Sequence, residues 1–352
     1  MRVIVDAYGG DNAPLEVIKG AVQARDAYGV EIVLTGNEDE IRRVAAEQNL
    51  SLDGVQIVHA TDVIGMNDIP KSILREHKDC SMAVGLRLLS EGGGDAFVSA
   101  GSTGALLMGG SFIVKRIKGI SRAALATIMP AGGREKPYML LDSGANVECR
   151  PDMLVQFAQM GSLYMTHLFN NGEPATVGLL NVGTEEHKGG ALQHEAYAML
   201  QNSGLNFIGN VEARDVPAGV ADVIVADGFS GNVLLKSIEG AVNMVMGFLK
   251  DIFYANLVTK ISALLVKPRL NGLKKKMSTA EYGGAPLLGV SKPVIKAHGN
   301  SKALAIQNAV RVAAEFAEAG VIEKITEQLQ KEEAAADGDA TTDASADGSV
   351  RL

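Results

Sequence analysis

Short apolar runs alternate with amphipathic stretches along most of the chain. Ile4-Val5, Glu31–Thr35, Val55–His59 and Ala96–Ser99 read as strands. Between them, Leu15–Tyr28, Ile41–Gln48 and Ser81–Ser90 repeat their apolar residues at helical spacing. Further on, Gly104–Lys115, Pro151–Phe169, Leu192–Gln201, Gly231–Leu249 and Lys302–Ala319 read as helices, with a strand around Asn206–Gly209. Strands taking turns with helices predict an α/β fold, doubly wound around a mostly parallel sheet. Several runs are apolar throughout rather than alternating, as expected of strands covered on both faces.

Five apolar runs, Ile4-Val5, Ala96–Val98, Met139–Leu141, Val177–Leu180 and Val223–Val225, break into glycine beside small polar residues: Asp6–Asp11, Ser99–Gly104, Asp142–Asn146, Asn181–Glu185 and Asp227–Asn232. Ligands of such sheets sit beyond the carboxyl ends of the strands. Glycine there lets backbone N–H groups approach a ligand, and a following helix N-terminus favours an anion. The pattern predicts a binding crevice for a small, negatively charged molecule.

Composition narrows the choice. The chain has 352 residues and a formal charge of −8, of which Lys331–Leu352 contributes −4. With no tryptophan and few aromatics, stacking platforms for single-stranded nucleic acid are not expected, and the charge argues against nucleic acid as a partner. Residues 331–352 are too polar to pack and read as a disordered acidic tail beyond a single 1–330 domain. Cys80 and Cys149 match no paired spacing and read as reduced thiols of a cytosolic protein. The first residues enter a strand without a signal-peptide pattern, and no apolar run is long enough to span a bilayer.

One stretch departs from the rest. Leu249–Met277 carries seven basic residues and one acid, with Leu257, Ile261, Leu264 and Leu265 at helical spacing. Such a segment suits a membrane interface. A core helix with a solvated face, or a docking patch for an acidic protein, fits the same pattern. Pro268 divides the stretch, so a protruding hairpin of two short helices is expected there.

The usual chemical signatures are missing. There is no GxGxxG, no Gly-Lys of a P-loop, no GxSxG and no HExxH, and the histidines do not cluster at metal-ligand spacing. No cofactor or metal is expected, and a reaction whose nucleophile is the bound anion is favoured.

Nine collinear segments resemble one family. They are Asp6–Pro14, Ser99–Ala105, Leu141–Asn146, Leu180–Glu185, Lys188-Gly189, Phe207–Glu212, Asp227–Asn232, Tyr282–Ala285 and Lys296–Gly299. Together they resemble the acyl-ACP:phosphate acyltransferases (the PlsX family). Tyr8, Asn12 and Ser102 stand where the family has Met, His and often Asn.

The resemblance implies a Rossmann-like α/β/α sandwich similar to phosphotransacetylases and isocitrate dehydrogenases. It implies transfer of a fatty acyl group from acyl-ACP to inorganic phosphate, giving an acyl phosphate for a glycerol-3-phosphate acyltransferase. It also implies a homodimer, cytoplasmic and peripheral on anionic phospholipid membrane. Lys188 is then expected to bring positive charge to phosphate or oxyanion, Asn232 to orient phosphate or donate to the oxyanion, and His298 to protonate the leaving thiolate. Gly101, Ser102, Thr103 and Gly104 are expected to cradle phosphate. Asp6, Gly9, Gly10, Asp142, Asn146, Thr184, Glu185 and Gly231 are expected to line the same crevice. Two other readings share the fold: a short-chain acyl-CoA:phosphate acyltransferase of the phosphotransacetylase kind, and a non-catalytic membrane scaffold.

Overall fold

The computed structural model describes residues 1–276 and 282–331, so the expected acidic tail beyond Lys331 and the end of the basic stretch at Met277 lie outside the described residues. The first half runs β1 (Arg2–Asp6), α1 (Leu15–Tyr28), β2 (Glu31–Gly36), α2 (Glu38–Glu47), β3 (Val55–His59), α3 (Ser81–Ser90), β4 (Ala96–Ser99) and α4 (Thr103–Gly109). The second runs β5 (Ala124–Met129), β6 (Tyr138–Leu141), α5 (Pro151–Leu168), β7 (Thr176–Asn181), α6 (Ala191–Gln201), β8 (Asn206–Glu212), β9 (Val223–Val225) and α7 (Gly228–Tyr254). It continues with α8 (Leu257–Lys276), β10 (Ala285–Leu288), β11 (Val294–Lys296) and α9 (Ala303–Glu318).

The strands form one sheet in the order β3-β2-β1-β4-β11-β10-β5-β6-β9-β7-β8. Two parallel sets, β3-β2-β1-β4-β11 and β6-β9-β7-β8, flank the central strands β10 and β5. β10 runs antiparallel to both β11 and β5, and β5 antiparallel to β6. Three reversals separate β11 from β6, so the two parallel sets point in opposite directions. Their carboxyl ends lie on opposite edges of the ladder.

Side-chain alternation builds a core on each face. Val3, Val5, Ile32, Leu34 and Val98 point to one face, where the buried sides of α1 and α9 meet them. The same cluster continues through Leu141, Val177 and Val225 to Leu154, Phe157 and Met165 of α5 and Ala196 and Leu200 of α6. Ile4, Val33 and Phe97 point to the other face, against Met82 and Leu86 of α3 and Leu106 of α4. Leu140 and Ile224 meet Leu234 and Leu235 of α7 on that face.

Local chemistry sets the helix ends. Asn37 opens α2 by accepting the Glu40 N–H at 3.1 Å, ahead of three acids in its first turn. Gly29 closes α1 in the left-handed conformation, φ 67°. Asp227 caps α7 by accepting both the backbone N–H and the hydroxyl of Ser230. The helix therefore begins at Gly228, three residues before the expected Gly231. It also runs past the expected end at Leu249.

The helical pair breaks at Ala255-Asn256 and not at Pro268, which falls within α8. Asn256 Oδ1 accepts the Thr259 N–H at 3.0 Å while Thr259 Oγ1 accepts the Asn256 N–H at 3.1 Å. This reciprocal cap starts the new helix. Leu257, Ile261, Leu264 and Leu265 are 75, 56, 68 and 80 % exposed, so the apolar face read from the sequence is uncovered in this chain. Phe248, Ile252 and Tyr254 extend it along the end of α7. No helix among the described residues is long and apolar enough to cross a membrane.

Candidate active site

The predicted site residues fall into two groups, one on each edge of the sheet. No hydrogen bond or ion pair joins the groups among the described residues, so the single crevice expected from sequence is divided within one chain.

Asp6, Gly9, Gly10, Gly101–Gly104 and His298 follow β1, β4 and β11. This group is tightly closed. Asp6 is 2 % exposed; one carboxylate oxygen accepts the Ser81 hydroxyl at 2.6 Å, the other the Ser99 hydroxyl at 2.7 Å. Burial pushes its carboxyl above the ordinary range, against the pull of these donors. The Gly101 N–H donates to Ser99 Oγ, and Ser102 Oγ accepts the Ala105 N–H as the cap of α4. Much of the expected phosphate cradle is thus already paired within the fold. A Cβ on Gly9 would stand 2.7 Å from the Gly101 nitrogen, so glycine is what lets the two loops touch.

Asn12, at a family histidine position, donates to the Asn300 and Ser301 carbonyls and ties the loop after β1 to the loop after β11. Tyr8 donates to Glu40 at 2.6 Å. His298 is exposed, its Nδ1 accepting the Asn300 N–H.

Lys296 was not foreseen here. Only 7 % exposed, it donates to the Ala100 carbonyl at 3.3 Å and also to the Ala297 carbonyl. Burial pulls its ammonium down to about 8, with Asp11 and Asp6 opposing. A lysine inside the apolar run Val294-Ile295-Lys296-Ala297 was the available signal.

Asp142, Asn146, Thr184, Glu185, Lys188, Gly231 and Asn232 follow β6, β7 and β9, three adjacent parallel strands. The chain leaves β9 for α7 on one face, and leaves β6 and β7 for α5 and α6 on the other. Diverging exits of this kind open a crevice at the strand ends.

Asp142 is fully buried and shapes this edge. One oxygen accepts the N–H groups of Leu125, Gly144 and Ala145; the other accepts the Asn146 N–H and its side-chain amide. Burial raises its carboxyl despite those donors. Both oxygens are engaged by the protein, so Asp142 holds the loop and has no bare oxygen turned to a ligand. Asn146 also donates to the Ala123 carbonyl at 2.8 Å.

The first turn of α7 lies against this loop. Gly228 donates to the Asn146 carbonyl at 2.7 Å, and a Cβ on Gly231 would collide with the Asp142 carbonyl oxygen. Asn232 is exposed, one amide N–H donating to the Ser143 carbonyl at 3.0 Å; it lies inside the helix, since Asp227 is the cap. Ser143, unforeseen from sequence, thereby fixes the direction of the Asn232 side chain.

In the loop after β7, Asn181 donates to the Lys188 carbonyl and accepts the Val182 N–H. Thr184 and Glu185 are exposed and Lys188 is half-buried. The Lys188 ammonium makes no hydrogen bond or ion pair among the described residues. A lysine without a counter-ion, an oriented amide and a helix N-terminus on one edge favour an anion. Cys149, beside Asp142, has its thiol pushed up to about 11 by burial, which suits a reduced thiol and not a nucleophile.

Comparison with known proteins bears on the family and the fold. Residues 1–324 match the fatty acid synthesis protein family. A phosphate acyltransferase of Thermoanaerobacterium thermosaccharolyticum is 47 % identical over 330 residues, covering 94 % of this chain and 97 % of that protein. A phosphate acyltransferase of Clostridium tetani is 44 % identical, covering 94 % and 98 %. Among solved structures, a phosphotransacetylase from Streptococcus pyogenes superposes with a TM-score of 0.61 at 18 % identity, covering 90 % of this chain and 94 % of its own. A 4-hydroxythreonine-4-phosphate dehydrogenase from Klebsiella pneumoniae superposes at 0.53 and 12 % identity, covering 90 % and 99 %. These two likenesses establish the Rossmann-like fold. Matched across both edges of its sheet, the chain belongs to the fatty acid synthesis protein (PlsX) family.

Proposed function

We propose that this chain is an acyltransferase that moves a fatty acyl group from acyl carrier protein to inorganic phosphate, supplying acyl phosphate for acylation of glycerol 3-phosphate. The observation that carries the reading is the near-full-length identity to phosphate acyltransferases. The crevice at β6, β9 and β7 supports it chemically. Phosphate binds there against Lys188 and the first turn of α7, and one of its oxygens attacks the thioester carbon. The carbon–sulfur bond breaks, and the proton of hydrogen phosphate ends on the departing thiolate, so atoms and charge balance without a protein base. Asn232 and Lys188 stabilise the negative charge that develops on the carbonyl oxygen. His298, on the other edge of the same chain, has no part in this scheme.

The exposed face of Leu257, Ile261, Leu264 and Leu265 rests on anionic phospholipid, which brings a soluble donor and a lipid-bound acceptor pathway together. The resemblance adds a homodimer.

The test is thiol release by the purified chain from long-chain acyl-ACP, with and without phosphate, and trapping of acyl phosphate by hydroxylamine. Phosphate-dependent release from acyl-ACP but not from acetyl-CoA is expected. Preference for acetyl-CoA would favour the phosphotransacetylase reading, and no phosphate-dependent release from either would leave a scaffold.

A further inference from the structure

The loop between α4 and β5, residues 115–122, reads Lys-Arg-Ile-Lys-Gly-Ile-Ser-Arg: four basic residues and no acid in a chain that is acidic overall. Ile117 and Ile120 are 4 and 5 % exposed and anchor the loop, while Lys115, Arg116, Lys118 and Arg122 are exposed. Its backbone is held from several sides. The Ile117 N–H donates to the Gly289 carbonyl at 3.0 Å, the Ser121 N–H to Gln156 at 2.9 Å, and Gln156 in turn to the Gly119 carbonyl at 2.9 Å. The Arg116 guanidinium donates to the Ser121 carbonyl and draws the two ends of the loop together. The Ser291 N–H donates to the Lys115 carbonyl at 2.9 Å, which sets Lys292 of the β10–β11 turn beside the loop.

The loop also borders the candidate active site. Ala123, next to Arg122, accepts the Asn146 side-chain amide, and Leu125 donates to Asp142. On the far side, Arg116 and Lys118 share an open cleft of about 450 Å³ with Glu323 and Glu327. Lys115, Arg122 and Lys292 make no side-chain hydrogen bond or ion pair among the described residues.

We infer that Lys115, Arg122 and Lys292 form the docking surface for an acidic protein that carries the acyl group as a thioester. The inference rests on the carrier-borne substrate proposed above and names the surface that receives the carrier. A flexible thioester arm delivers its carbonyl only if the carrier body sits within the arm's reach of the crevice, and this strip adjoins the Asp142–Asn146 loop. A rigid cationic strip facing an acidic partner speeds encounter and fixes its orientation, with an ionic-strength dependence. Lipid already has an apolar surface on α7 and α8, whereas the 115–122 loop turns its isoleucines inward.

The experiment titrates the full chain with fluorescent acyl carrier protein, comparing wild type, the double variant Arg122→Glu/Lys292→Glu and the control Lys19→Glu on α1. Affinity of the double variant is expected to fall by about tenfold or more, the effect shrinking with added salt, with the control unchanged. Phosphate-dependent turnover of a small acyl-pantetheine thioester is expected to stay at the wild-type level in all three. Equal carrier affinity of the double variant and wild type would overturn the inference. So would loss of binding to anionic vesicles with carrier affinity intact. Wild-type turnover of the small thioester reads the reaction by itself, so a failure of the proposed function is told apart from a failure of the docking surface.

Discussion

Lys188 and Asn232 stand at the proposed crevice on different supports: one on a loop braced by Asn181, the other on a helix turn pressed against Ser143. Neither is buried, so replacing either removes a charge or a donor without opening the core. Lys188→Ala and Asn232→Ala are each expected to lower phosphate-dependent thiol release about 100- to 1,000-fold. Circular dichroism and melting should match wild type, and near-normal turnover in one variant would take that residue out of the scheme. Lys296 supports a different prediction. Its ammonium titrates near 8 in the fold and near 10.5 when exposed, so between those values the unfolded chain binds more protons. Stability from this group therefore rises with pH across that window and is lost as pH falls through about 8. Urea melts of wild type and Lys296→Met at both ends of the window should show the rise only in wild type; an equal rise in both would assign it to another group. Lys188 and Asn232 were picked out by their place beside glycine-polar loops together with the family resemblance, and the variants above test the roles expected of them. Lys296 was passed over although it interrupts an apolar run, a signal too weak by itself to tell a buried lysine from a solvated one at a strand end.

At the scale of elements, the close approach of α7 to the Asp142–Asn146 loop depends on missing side chains. A Cβ on Gly228 would lie 2.6 Å from the Asn146 carbonyl oxygen, and one on Gly231 would meet the Asp142 carbonyl. Gly231→Ala is expected to cost about 1–3 kcal/mol by forcing the two apart. It should also reduce turnover, because Asn232 moves with the helix. Denaturant midpoints and thiol release measured on the same preparation check both; an unchanged midpoint would mean the loop yields freely. The pair α7 and α8 carries the other element-level expectation. Leu257→Glu with Ile261→Glu should abolish co-sedimentation with anionic vesicles while leaving turnover in solution intact, and undiminished sedimentation would refute the lipid contact. The amphipathic face of these helices was plain from spacing. Their junction was not, since a capping exchange between Asn256 and Thr259 outweighed the proline that the pattern singled out.

Across the whole molecule, the alternation of strands and helices was enough to foresee a doubly wound sheet, and among the described residues seven of its ten strand pairings are parallel. The antiparallel centre escaped notice for a physical reason. β10 and β11 span four and three residues, too few to carry a period, and β11 includes a lysine. What also stayed hidden was that the glycine loops divide between two edges, because direction in a sheet is set by pairings distant in sequence. Two of the central strands, β10 and β11, are also made after the strands that flank them. Until Ala285–Lys296 leaves the ribosome, β4 and β5 each lack a neighbour, and the two halves of the protein are unjoined wings with bare hydrogen-bonding rims. The β10–β11 hairpin is thus the keystone that closes a gap between strands made before it, and a polypeptide truncated ahead of it is expected to stick to its own kind along those rims.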